Sequence, residues 1–144
     1  MSADSISGSL PSTILDTGTI VSRLPRQVHE ELRSAFQDSM YQYPPADQSS
    51  DPMDTYYDLS GYDDDINKIV PSMKLNFDGP QDLNLDPSAV VWKDSDSRKV
   101  CLAFAGNGNS NDLTIIGNHQ QRNLKISYSL LDKKVGFTTG GCGN

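Results

Sequence analysis

Apolar positions in this chain fall in short runs, each broken within a few residues by Gly, Pro, Asn or Asp. Thr13-Ile14-Leu15 is a β-prone run that stops at Asp16, and Thr19-Ile20-Val21 resumes the same character after Gly18, which predicts strand, tight turn and strand. The period then changes. Behind Pro25, which suits a first helical turn, Val28, Leu32, Ala35, Phe36 and Met40 recur at helical spacing and predict a helix over residues 25–40. His29 lies off the centre of that apolar stripe and reads as a solvated surface histidine. From Tyr41 to Asp65, Pro, Asp, Ser and Tyr predict a loop region with short strands inside it. Residues 69–77, 83–85, 89–92, 100–105 and 113–116 then predict separate short strands, and 124–128 with 135–138 predict a closing hairpin. His119 follows the Gly117-Asn118 turn among Gln120, Gln121 and Arg122. With no nucleophile motif nearby it reads as a surface or turn residue. Many short strands between turn residues describe an all-β body.

Composition narrows the classes. A chain of 144 residues has room for one compact domain. Counting glycine in place of tyrosine raises its 35% hydrophobic fraction to about 38%, below the roughly 45–50% usual for globular domains. Twelve Lys and Arg against nineteen Asp and Glu give a net charge of −7, which repels phosphate backbones and anionic lipid, and no local basic patch offsets it. Neither nucleic acid nor a membrane is expected as a partner. No stretch approaches the roughly 20 apolar residues of a membrane span, and the start lacks the basic and apolar regions of a signal peptide. Two cysteines and two histidines give no metal-ligand spacing, and the acidic run Asp63-Asp64-Asp65 lacks the spacing of a calcium loop. The segment from Gly106 to Asp112 lacks the Lys of a phosphate-binding loop. No metal or cofactor is expected.

The candidate chemistry lies in Ile14-Leu15-Asp16-Thr17-Gly18-Thr19. A carboxylate follows an apolar strand and is itself followed by a hydroxyl, a glycine that permits close backbone approach, and a second hydroxyl. Such a turn fixes a carboxylate by hydrogen bonds from hydroxyl and backbone N–H. Alone, Asp-Thr-Gly is weak, because Asp and Gly are ordinary turn residues.

Further segments occur in order with it: Leu24-Pro25, Asp54-Thr55-Tyr56-Tyr57-Asp58-Leu59-Ser60-Gly61-Tyr62, Val100-Cys101-Leu102-Ala103-Phe104-Ala105-Gly106, Ile115-Ile116-Gly117-Asn118, and Val135-Gly136-Phe137 to Gly140-Gly141-Cys142. Together they resemble the C-terminal lobe of pepsin-like aspartic proteases in their plant, nepenthesin-like form, over almost the whole chain from Ile14 onward. The resemblance implies a mainly β single lobe with one or two short helices, occupying residues 13–144 behind a flexible lead-in, or the end of a truncated strand, at 1–12. In that family each lobe contributes one aspartate. The two carboxylates share a proton and activate a water that attacks the scissile peptide carbonyl, pepsin being the established case. By the same resemblance Asp16 is the catalytic carboxylate, Thr17 and Gly18 hold it, and Thr19 bonds across the two-fold axis to the partner motif. Ile115, Ile116 and Gly117 form the second limb of a ψ-shaped loop packed under Asp16.

Two departures follow. The plant pattern usually has a cysteine where Tyr56 stands, bridging to the one at Cys101, and Cys142 would seek its partner in another lobe. The resemblance thus implies that Cys101 and Cys142 are unpaired, with a Cys101–Cys142 bridge left for geometry to decide. Secondly, one Asp-Thr-Gly is present and no second, so the chain carries half of a dyad. The expected function is an aspartic endopeptidase lobe acting on polypeptide, completed by an N-terminal lobe or by a second copy across a two-fold axis. The alternative is a non-catalytic protein-binding or inhibitor module, because plant xylanase inhibitors resemble this fold without proteolysis. A DNA-associated role, suggested for some plant relatives, conflicts with the −7 charge. The family resemblance points to a secreted, vacuolar or plastid location.

Overall fold

A computed structural model describes residues 4–6, 13–46, 53–76, 82–108 and 113–139. They form a mainly β lobe. In chain order the elements are β1 (Asp4–Ile6), β2 (Thr13–Leu15), β3 (Ser22–Leu24), α1 (Arg26–Ser39), β4 (Pro45–Ala46), β5 (Tyr56–Asp58), a 3₁₀ turn (Ile66–Lys68) and β6 (Met73–Asn76). They continue as β7 (Asp82–Leu85), α2 (Pro87–Val90), β8 (Val91–Lys93), β9 (Lys99–Leu102), β10 (Phe104–Gly106), β11 (Thr114–Ile116), α3 (Asn118–Gln121), β12 (Leu124–Ser129) and β13 (Lys134–Thr139). No helix among the described residues is long and apolar enough to cross a membrane.

The strands form four small sheets: β1-β6-β7, β10-β3-β11-β2, β4-β5-β9-β8 and the hairpin β12-β13. The second positions the site. Its strand β11 lies between β2, to which it is parallel, and β3, to which it is antiparallel, with Ile116 beside Leu15 and Ile115 beside both Ile14 and Arg23. The predicted strand-turn-strand at the start is therefore no hairpin, since β11, about a hundred residues away in sequence, separates its two strands. The second strand also begins later than expected. Residues Thr19-Ile20-Val21 stay outside the sheet because the carbonyls of Thr19 and Ile20 point to α3, and Ser22–Leu24 supplies the strand.

Helix α1 matches the predicted period but begins at Arg26. Pro25, at φ −50° and ψ 142°, stands just before it, and its carbonyl accepts the His29 N–H at 2.9 Å. Leu32, Phe36 and the capping residue Met40 are buried against Leu24, Tyr57 and Phe104. Phe36 meets Tyr57 edge to face at 5.8 Å between ring centroids. His29 is buried as well, with 7% of its surface exposed, which corrects the solvated reading. Strand β10 crosses that face of α1, and glycine at 106 leaves space for the ring, since a Cβ there would lie 3.3 Å from Nδ1.

Three predicted strands resolve differently. Residues 89–90 belong to α2, because Asp86 caps it by accepting the Ala89 N–H and Pro87 occupies its first turn. Residues 100–105 split at Ala103, whose N–H turns to the Val90 carbonyl at 2.9 Å, so β9 and β10 enter different sheets. Ile69 and Val70 close the 3₁₀ turn, and Pro71 precedes β6. Phe77 lies outside the described residues. The hairpin forms as predicted, with Leu124 and Phe137 packed on the core. Its outer side stays open: Tyr128 is 61% exposed, and Leu130 and Leu131 at its tip are almost fully exposed.

Candidate active site

Asp16 is the residue at which β2 leaves its sheet. Its N–H extends the parallel ladder to the Ile116 carbonyl at 3.0 Å, and its carbonyl accepts the Thr19 N–H at 3.3 Å, closing a four-residue turn. The side chain folds back over that turn. Oδ1 accepts the Gly18 N–H at 2.9 Å, and Oδ2 accepts the Thr19 hydroxyl at 2.6 Å. These bonds, Thr19's first and Gly18's second, hold the Asp16 carboxyl below its ordinary value by stabilising the charged form. A Cβ on residue 18 would lie 3.3 Å from Oδ1, so glycine keeps that oxygen free to accept. The hydroxyl that reaches the carboxylate within the lobe is Thr19's. Thr17 is exposed, and its carbonyl accepts from Asn118 Nδ2 at 3.1 Å.

The far limb of the loop is fixed from α3. The Thr19 and Ile20 carbonyls accept the N–H groups of Asn118 at 2.6 Å and His119 at 3.2 Å, the first donors of α3, which have no partner inside the helix. This contact requires glycine at 117, because a Cβ there would meet the Ile20 oxygen at 2.6 Å and the Thr19 oxygen at 2.7 Å. The Gly117 N–H donates to Ser22 Oγ at 2.8 Å, and Ser22 Oγ in turn donates to Gln120 Oε1. Gln120 Nε2 donates to the carbonyls of Ala89 and Ala103, each at 3.0 Å, and Gln121 Nε2 donates to the Ile116 carbonyl at 2.7 Å. Asp16, Gly18, Thr19, Ile116 and Gly117 thus meet at one end of one sheet.

His119 departs from its surface reading. It is 4% exposed, its Nε2 lies 2.8 Å from the Val91 carbonyl, and its ring rests against Trp92 at 5.0 Å between centroids. Burial holds its titration, like that of His29, below the ordinary histidine value. Gln120 and Gln121 went unmarked in the sequence because a polar run after Gly-Asn reads as a solvated turn, and Ser22 because a lone serine after an apolar run carries no signal. The partners of Ser22 and Gln120 come from residues far away along the chain, and that of Gln121 from the preceding strand, β11.

Elsewhere, Asp63 pairs with Lys68 at 3.1 Å, Asp64 with Arg98, and Asp65 caps the 3₁₀ turn, all in solvent. Among the described residues no three His, Cys, Asp or Glu side chains gather as metal ligands. Cys101 is a free, buried thiol on β9, directly across from Tyr56 and 3.7 Å from Met53 Sδ. Burial pushes its titration up to about 11. Cys142 lies outside the described residues.

The family described as xylanase inhibitor C-terminal matches residues 7–139. An aspartyl protease family protein of Arabidopsis thaliana is 35% identical over 134 residues, which span 93% of this chain and 27% of that protein. Aspartic proteinase nepenthesin-2 of Nepenthes gracilis is 29% identical over 130 residues, 90% of this chain and 28% of its own length. Among solved structures, that of edgp superposes with a TM-score of 0.75 at 20% identity, covering 94% of this chain and 34% of that one. Basic 7S globulin from soybean superposes at 0.71 with 15% identity, over 95% and 36% of the two chains. The likeness to both structures is one of fold, and the chain spans little more than a quarter of the length of the two proteases.

Proposed function

We propose a function from one premise: the chain belongs to the xylanase inhibitor C-terminal family, as the C-terminal lobe of a plant pepsin-like aspartic protease. In this reading residues 13–144 are the lobe, β1 (Asp4–Ile6) ahead of them adds a strand beside β6, and Asp16 is the lobe's contribution to an endopeptidase dyad. One observation carries the reading. The Asp16 carboxylate sits at the open end of β2 with one oxygen on the Gly18 N–H and the other on the Thr19 hydroxyl, oriented and held ionised. Ile116 and Gly117 support it from beneath.

A carboxylate so stabilised is a poor proton donor alone. Brought within a few ångströms of a second carboxylate, the pair retains one proton, because two like charges at that distance do not both persist. The ionised member then accepts a proton from water as its oxygen adds to the peptide carbonyl, while the protonated member donates to the carbonyl oxygen. The second carboxylate comes from an N-terminal lobe or from a second copy of this chain. Thr19, whose hydroxyl is engaged with Asp16 inside the lobe, then sits where the partner's loop arrives.

The test is acid-pH cleavage of an unfolded polypeptide by the assembled protein. Asp16→Asn keeps the shape of the side chain and removes the charge, and the rate should fall by about 10⁴ or more, as when an essential catalytic group is lost. Cleavage undiminished in Asp16→Asn overturns the assignment. The description of the matched family favours a second reading, a non-catalytic protein-binding module. That reading expects a protein partner to be retained equally by wild type and Asp16→Asn, with no cleavage by either.

A further inference from the structure

Three consecutive side chains of α3 are polar and buried, and each ends on a backbone carbonyl. His119 reaches Val91, Gln120 reaches Ala89 and Ala103, and Gln121 reaches Ile116. The first two tie α3 to the body of the lobe. The third reaches the candidate site, because the Ile116 carbonyl also accepts the Asp16 N–H. Both lone pairs of that oxygen are thereby used, one for the main chain of Asp16 at 3.0 Å and one for the Gln121 amide at 2.7 Å.

Packing alone does not account for an amide here. Gln121 is 7% exposed, and its Oε1 is buried without a hydrogen-bond partner among the described residues. Leaving an acceptor in that state is unfavourable, and an apolar side chain of the same length would fill the space without that cost. What the amide adds is one donor, directed at the peptide from which Asp16 hangs.

We propose that Gln121 is a positioning residue for the Asp16 carboxylate: its Nε2–H fixes the Ile116 carbonyl, and through it the Asp16 main chain, so that Gly18 and Thr19 meet the two carboxylate oxygens. This inference rests on the reading of Asp16 as the acid of the lobe and deepens it. It also gives the buried polar run of α3 a task that stability does not require.

The experiment is a ¹³C NMR titration of the Asp16 carboxyl in the full 144-residue chain, assigned by its loss in Asp16→Asn. Gln121→Met keeps length and packing and removes the donor. Leu83→Ala, in the core on β7 of a different sheet, serves as a destabilised comparator. In Gln121→Met the Asp16 titration should move up toward the ordinary carboxylate range. In Leu83→Ala the unfolding midpoint should drop while Asp16 titrates as in wild type. An unmoved Asp16 in Gln121→Met, or an equal movement in Leu83→Ala, overturns the proposal. Gln121→Glu tests it should Gln121→Met fail to fold. Burial lifts the introduced carboxyl above Asp16 in titration, leaving a pH window where it is protonated and donates to the Ile116 carbonyl. The Asp16 and Gly18 amide resonances should match wild type in that window and depart above it, and no change across it overturns the proposal. Proteolysis that survives Asp16→Asn would instead overturn the functional reading and leave the Gln121 result standing.

Discussion

Gly117→Ala puts the loop geometry to a sharp test, because it adds one methyl group at the place where two limbs of chain touch. Residue 117 has φ −79° and ψ 176°, a conformation open to any residue, so the effect is steric alone. The new Cβ would lie 2.6 Å from the Ile20 oxygen, 2.7 Å from the Thr19 oxygen and 2.9 Å from the Ile20 carbonyl carbon, all main-chain atoms that have no rotamer by which to escape. Relief requires α3 to draw back from the Asp16 loop, lengthening the bonds from the Asn118 and His119 N–H groups to those same carbonyls. Overpacking of this kind costs about 1–3 kcal/mol, one weakened backbone hydrogen bond adds about 1 kcal/mol, and the stiffer unfolded chain returns about 0.4–1 kcal/mol, for a net loss of about 1–4 kcal/mol. Urea unfolding followed by Trp92 fluorescence reads this directly. Trp92 is the single tryptophan, and it touches the His119 ring of α3 and has the Arg122 guanidinium 5.5 Å from its centroid. The midpoint should fall with the slope unchanged. Gly108→Ala, where an added Cβ meets nothing within 4 Å among the described residues, should stay within about 0.5 kcal/mol of wild type. Equal midpoints for Gly117→Ala and Gly108→Ala would refute the argument that these carbonyls confine residue 117.

Three further outcomes follow from the same structure. Thr19→Val removes the hydroxyl that does most to hold Asp16 low, so the Asp16 carboxyl should titrate higher by ¹³C NMR, and an unmoved titration contradicts the geometry. His29 and His119 titrate below the ordinary value because burial penalises their charged forms, so the unfolded chain takes up protons first as the pH falls through about 6.5. The stability that both contribute above that pH is lost between it and their lower native values. Urea midpoints should therefore decline on acidification across that window, and the decline should shrink in the His29→Gln, His119→Gln double variant; a flat wild-type profile there contradicts the burial of both rings. In a Cys142→Ser background, Cys101, buried and titrating near 11, should react with a disulfide reagent orders of magnitude more slowly in the native chain than in denaturant, and fast native labelling contradicts its burial.

What the sequence disclosed was whatever depends on neighbours along the chain. The period of Val28, Leu32, Phe36 and Met40 locates α1 to within a residue at each end, and the alternation in β12 and β13 gives their hairpin. The Asp86-Pro87 start of α2 went unread, because the apolar residues after it read as a strand. What stayed hidden depends on partners distant in sequence. Thr19-Ile20-Val21 has strand composition, yet its carbonyls are taken by α3, a segment no local pattern connects with it. The burial of His29, His119 and Gln120 has the same origin, since a polar side chain enters a core only where the fold brings it a group to bond or a space to fill. The Asp16-Thr17-Gly18-Thr19 motif marked the carboxylate. The residues that support it from α3 and β3 needed the three-dimensional arrangement.

The central claim is that this lobe brings one carboxylate to a site that needs two. It is tested most directly by sedimentation at acid pH, run in parallel with cleavage of an unfolded polypeptide, for the chain alone over a range of concentrations and for the chain mixed with a lobe carrying a second Asp-Thr-Gly loop. Cleavage should appear only in the fractions whose mass shows two lobes together, and should vanish from them with Asp16→Asn. A strictly monomeric chain that cleaves, or a two-lobed particle with both aspartates intact that leaves the polypeptide uncut, would contradict it.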